Sequence, residues 1–134
     1  MRALRVDPSD STPIWSQIEE GVRRLVASGS LPAGSAMPSV RELAGDLSVN
    51  PATVAKAYQK LTDAGILTVK RGEGTYVTEK PPSLPRNERA RTLRDGAARY
   101  ASLAVTVGAN EREASRELGA VWKEFDEGTG RAAS

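Results

Sequence analysis

The sequence predicts a mainly helical α+β chain, and three observations carry that prediction. Three amphipathic runs each open on a helix-start signal: Thr12-Pro13, Ser39-Val40-Arg41-Glu42 and Asn50-Pro51. Two short β-rich runs, Ile66–Val69 and Thr75–Val77, flank a tip that contains glycine. Beyond Pro81, Pro82 and Pro85 the apolar residues step by four and three over two further stretches, the spacing of one helix face.

Residues 1–12 read as a polar lead-in. Thr12 is the expected N-cap of the first helix, with Pro13 at the first helical position, where its missing N–H costs nothing. Ile14, Ile18, Val22 and Leu25 recur at helical spacing, Trp15 and Val26 widen the stripe, and Gly29 ends it. Ser30–Pro38, with two prolines and a glycine, reads as an ordered loop. In the second helix the Ser39 side chain can accept from the Glu42 N–H while the glutamate reaches back, a capping box. Val40, Leu43, Ala44 and Leu47 form its inner face, and it ends near Asp46.

A tight connection, Leu47–Asn50, leads to a third helix capped by Asn50 with Pro51 at its first position. It runs to about Ala64 with Val54, Ala57, Tyr58 and Leu61 inward, and Gly65 stops it. The two strands then form a hairpin around a five-residue tip, Lys70–Gly74. After the proline boundary, Leu93, Ala97, Tyr100, Ala104 and Val107 lie on one helical face, and Gly108 and Asn110 break the run. Ala114, Leu118, Val121 and Phe125 line a second helix, with Trp122 alongside. Two such helices hold too little core to stand alone, so these ten residues need a partner surface. The tail from Gly128 is expected to be loose. The domain reading is therefore 11–80 and 86–126.

The 134-residue chain contains no His and no Cys. A Cys nucleophile, a His general base, thiolate and imidazole metal sites and disulfides are excluded. The remaining carboxylates, lysines and hydroxyls form no catalytic constellation, so neither an enzyme nor a cofactor or metal is expected. No apolar run approaches the roughly 20 residues that cross a bilayer. The N-terminal MRALRVDPSD lacks the apolar stretch of a signal peptide, so a cytoplasmic chain with no membrane partner is expected. The formal net charge is only +2, but its distribution is uneven. From Val49 to Gly72, Lys56, Lys60, Lys70 and Arg71 stand against Asp63 alone. From Arg86 to Arg99, five arginines stand against Glu88 and Asp95. That second group reads as a solvated face, a further phosphate contact, or ion pairs with Glu111, Glu113 and Glu117.

Three helices followed by a β-hairpin is the order of a winged helix-turn-helix. A helix fits the DNA major groove, and a preceding helix joined by a tight turn braces it on the backbone. With Val54, Ala57, Tyr58 and Leu61 inward, the third helix presents Ala52, Thr53, Lys56 and Lys60 outward: small, polar or basic, as a groove-facing surface requires. Lys56 and Lys60 are one turn apart, placed for phosphate. Thr53 is placed for a base edge or a thymine methyl.

The motifs Pro38-Ser39-Val40-Arg41-Glu42-Leu43-Ala44, Val49-Asn50-Pro51-Ala52-Thr53-Val54, Gly65-Ile66-Leu67 and Arg71-Gly72-Glu73-Gly74-Thr75-Tyr76-Val77 resemble the GntR family of bacterial transcription regulators, over about residues 11–78. The short two-helix tail is similar to that of the YtrA subfamily. That resemblance implies a homodimer made by the tail and regulated genes that often encode ABC transporters. It also implies DNA contacts at Arg41, Asn50, Ala52, Thr53, Arg71 and Gly72. With Ser39, Lys56, Lys60 and Lys70 these make the candidate DNA-binding set. Pro51 and Ala55 stand where effector-domain branches of the family carry basic residues, so DNA shape is expected to contribute to sequence preference. The reading is a homodimeric repressor on a palindromic operator in double-stranded DNA, with a small-molecule effector left open and no residue marking its site. The alternative is a winged-helix module that binds protein; acidic or apolar residues on the outer face of the third helix would favour it, and Thr53, Lys56 and Lys60 do not.

Overall fold

A computed structural model of the chain describes residues 4–129, with side chains through Asp126. Two compact units result, one ending at Pro82 and the other spanning Ser83–Glu127.

The first unit contains α1 (Ile14–Ala27), α2 (Val40–Leu47), α3 (Pro51–Asp63), β1 (Leu67–Lys70) and β2 (Gly74–Val77). Ile18, Val22 and Leu25 of α1, Leu43 and Ala44 of α2, and Val54, Ala57, Tyr58 and Leu61 of α3 meet in one core with Ile66, Leu67 and Val77. Burial of each large apolar side chain there contributes about 1.5–3 kcal/mol. The capping box is formed in full: Glu42 N–H donates to Ser39 Oγ at 3.1 Å, and Ser39 N–H donates to Glu42 Oε1 at 3.0 Å. These Ser39 hydrogen bonds, backbone first, hold the Glu42 carboxyl below its ordinary pKa. Gly65, at φ +78°, closes α3: Ile66 N–H donates to Leu61 O and Gly65 N–H to Thr62 O, the paired bonds of a Schellman motif.

Four local readings change. The N-cap of α1 is Pro13, not Thr12, and no side chain caps it. Thr12 is engaged elsewhere: its N–H donates to Asp10 Oδ1, and its carbonyl accepts from Gln17 Nε2. The hairpin tip is three residues, Arg71-Gly72-Glu73, because Lys70 pairs with Gly74: the first strand runs one residue later than its β-rich run and the second starts one residue earlier. Glu73 N–H donates to Lys70 O across this turn, with Gly72 at φ +79° as the residue that needs positive φ. The lead-in is not merely polar: Leu4 is buried against Gly21, and Asp7 and Gln17 exchange two hydrogen bonds. Finally, the loop before α2 joins the sheet. Ala36 bridges Tyr76, Met37 N–H donates to Thr75 O, Val77 N–H donates to Ser35 O, and Met37 is buried.

The second unit is a pair of helices, α4 (Arg86–Thr106) and α5 (Glu111–Thr129). Gly108, at φ +82°, turns the chain, and Asn110 caps α5 by accepting from Glu113 N–H at 2.9 Å. The helices meet near this turn. Tyr100 Oη donates to Ala114 O at 2.8 Å, and Ala104 is buried. Farther out Leu93 is 72% exposed and Trp122 61%. Among the described residues, Arg86–Arg99 form no ion pair with Glu111, Glu113 or Glu117; all these arginines are exposed, which removes the ion-pair reading. The tail expected to loosen at Gly128 is helical through Thr129, and 130–134 lie outside the described residues. No described helix is long and apolar enough to cross a membrane.

Candidate nucleic-acid interface

The α2–α3 connection sets how α3 is presented. Ser48 ends α2 at φ +56°, the left-handed conformation, so the chain reverses within two residues before Asn50 starts α3. Val49 N–H donates back to Ala44 O. Across the same corner Tyr58 of α3 donates its Oη to Pro38 O at 2.7 Å, fixing α3 against the start of α2. Burial, with a smaller contribution from the Glu42 charge, pushes the Tyr58 phenol well above its ordinary pKa.

On this frame Ser39, Arg41, Asn50 and Ala52 are exposed, and Thr53 is half-buried. Asn50 Oδ1 accepts from Ala52 N–H at 2.8 Å. Its amide NH2 takes no part in that cap and remains a donor on an exposed residue. Oδ1 keeps a second lone pair, so Asn50 can still both donate and accept at a base edge, or donate to a phosphate. Ser39 Oγ accepts in the capping box, leaving its O–H to donate outward. Lys70, Arg71 and Gly72 sit exposed on the hairpin.

The lysines do not extend freely into solvent. Lys56 Nζ lies 4.4 Å and Lys60 Nζ 5.2 Å from the centroid of the Trp15 ring, and Lys70 Nζ lies 4.5 Å from that of Tyr76. All three distances are within cation–π range. Trp15 is itself half-buried against the core. Helical spacing identifies which face of α1 it occupies, but not that the outward lysines of α3 fold back onto it.

The residues of the expected dimer face divide into two groups. Tyr100, Ala104 and Ala114 line the seam between α4 and α5 near the turn. Leu93, Ala97, Val107, Leu118, Val121, Trp122 and Phe125 are exposed. Among the described residues no group of three or more acidic side chains is placed to hold a metal ion.

Comparison with known proteins gives a consistent picture. Residues 15–77 match the family model for bacterial regulatory proteins of the gntR family. The chain is similar to the HTH-type transcriptional repressor YtrA of Bacillus subtilis, at 45% identity over 76 residues, which span 57% of this chain and 58% of the repressor. It is similar to the HTH-type transcriptional regulator Rv1152 of Mycobacterium tuberculosis, at 33% identity over 115 residues, which span 86% of this chain and 90% of that protein. Among solved structures it resembles YtrA from Sulfolobus acidocaldarius, a GntR-family transcription factor. There the identity is 35% and the TM-score 0.56, covering 72% of this chain and 98% of that one.

Proposed function

This chain belongs to the GntR family of bacterial regulatory proteins, and from that premise we propose that it is a homodimeric, cytoplasmic repressor that binds a palindromic operator. It is a transcriptional regulator and not an enzyme. The reading assigns DNA binding to residues 11–80 and dimerisation to residues 86–126.

The observation that carries it is the exposed polar and basic character of the starts of α2 and α3 and of the wing. The start of α2 offers Ser39 and Arg41, the start of α3 offers Asn50, Ala52 and Thr53, and the wing offers Lys70, Arg71 and Gly72. Lys56, Lys60, Lys70 and Arg71 take phosphates, giving affinity and its salt dependence. Arg41, Asn50, Ala52 and Thr53 take base edges, giving sequence preference. The exposed apolar residues of α4 and α5 are the surface that a second copy covers. Two-fold symmetry then calls for half-sites roughly 34 Å apart or a multiple of that. The proposed targets are ABC transporter genes, as the likeness to YtrA-type regulators implies.

The test is selection from a random-sequence duplex pool at about 150 mM salt, a physiological ionic strength. Enrichment of one palindrome is the expected result. Salt-sensitive retention without an enriched sequence would overturn the specific-operator reading.

A further inference from the structure

We propose that Trp15 is a positioning residue for DNA binding: its indole seats Lys56 and Lys60 so that both ammonium groups meet the phosphate backbone already ordered. The inference rests on the DNA-binding reading above. A free lysine on an exposed helix face samples many rotamers, and fixing it on a phosphate costs conformational entropy. Lys56 and Lys60 stand one turn apart on α3 and converge on one ring of α1, at 4.4 Å and 5.2 Å from its centroid. Two like charges converging on one surface repel each other. The indole face, negative in its quadrupole, offsets that repulsion and holds the pair together. The ring is itself held, because Trp15 is packed half-buried against the core.

The same arrangement recurs on the wing, where Lys70 Nζ lies 4.5 Å over Tyr76, a residue whose backbone pairs with Thr68 and bridges Ala36. Each lysine of the candidate interface is thus seated on an aromatic ring. A cation–π contact leaves the ammonium N–H groups on the side away from the ring free to donate, so the seat does not compete with a phosphate oxygen. The consequence is a division of labour: Arg41 and the start of α3 read bases, and Trp15 fixes where the phosphate strand passes.

The test measures affinity for a random-sequence duplex at low salt, where phosphate contacts dominate. Four proteins are compared: the wild type, Trp15→Leu, the double variant Lys56→Ala/Lys60→Ala, and the triple variant combining them. Trp15→Leu is expected to weaken binding roughly three- to tenfold, the scale of ordering one or two long side chains. In the lysine-free background the same substitution is expected to change nothing. Conservation of the full Trp15 effect in that background would overturn the proposal, since a purely structural residue acts with or without the lysines. An unchanged affinity of Trp15→Leu beside a binding wild type would also overturn it. Failure of the wild type itself to bind would instead sink the DNA-binding reading. A second readout needs no variant: the side-chain εCH2 protons of Lys56 and Lys60 should be shifted upfield by the indole ring in the NMR spectrum of the free protein. Ordinary shifts, equal to those of Lys80, would overturn the seating even if Trp15→Leu failed to fold.

Discussion

Tyr58 Oη donates a 2.7 Å hydrogen bond to the backbone carbonyl of Pro38, twenty residues earlier in the chain. One end of this bond lies on α3 and the other at the entrance to α2, so it fixes the angle between the two helices. Tyr58→Phe keeps the ring, which is 5% exposed, and removes only the hydroxyl. The expected cost is about 1 kcal/mol, read as a lower midpoint in urea with an unchanged slope.

The same phenol makes alkaline stability a diagnostic. Its folded-state pKa is raised above the ordinary phenol value by burial first and the Glu42 charge second. The native state therefore binds that proton more tightly than the unfolded chain does. Its contribution is fully present below pH about 10, the unfolded phenol value, and is lost as pH rises beyond it. Stability of the wild type should fall more steeply above pH 10 than that of Tyr58→Phe. Parallel curves for the two proteins would show that Tyr58 is not held neutral by the fold.

Gly21 and Leu4 form a second pair whose coupling is measurable. A Cβ at Gly21 would collide with Leu4 Cδ1, so Gly21→Ala must displace the buried Leu4 side chain. The strain of overpacking, about 1–3 kcal/mol, opposes the gain of about 1 kcal/mol in helix propensity. Gly21→Ala should therefore destabilise the wild type and stabilise a Leu4→Ala protein. Additive effects in that cycle would place the lead-in outside the core.

Ser48 holds the left-handed conformation at φ +56° without a glycine. Ser48→Gly relieves about 1–2 kcal/mol of steric cost and returns part of it as backbone entropy. A net stabilisation of about 0.5–1 kcal/mol is expected in thermal or denaturant melts, with DNA affinity unchanged.

Arg41→Ala, at an exposed position one residue into α2, should weaken operator binding by about 1–3 kcal/mol without altering the melting curve. Equal affinity in a folded variant would remove Arg41 from the base-reading set.

The helices were legible in the sequence because their signals are local. Ser39 with Glu42, and Asn50 with Pro51, identify the starts of α2 and α3 from side chains within four residues of each other. Glycines that must adopt positive φ, such as Gly65, mark the ends. The parts that escaped depend on long-range pairing. Nothing near Ala36 in the chain shows that it will bridge Tyr76, and nothing near Leu4 shows the small residue that makes room for it on α1. The start of α1 differs by one residue: Pro13 is the N-cap, while the Thr12 N–H donates to Asp10 Oδ1 and its carbonyl accepts from Gln17 Nε2. In the interface, the identity of the outward lysines followed from helical spacing. Their convergence on Trp15 did not, because it requires knowing how α1 crosses α3.

A dimer on a two-fold operator fixes the stoichiometry of the complex. The palindrome obtained by selection is titrated with the wild type and with Leu118→Glu, which places a charge on the exposed apolar face of α5. Complex mass is read by light scattering, and a duplex carrying one half-site serves as the comparison. Two chains per palindrome and far weaker retention of the single half-site are expected. Leu118→Glu should bind the palindrome no better than the half-site, because bivalency is lost. One wild-type chain per palindrome, or equal affinity for palindrome and half-site, would contradict the two-fold dimer.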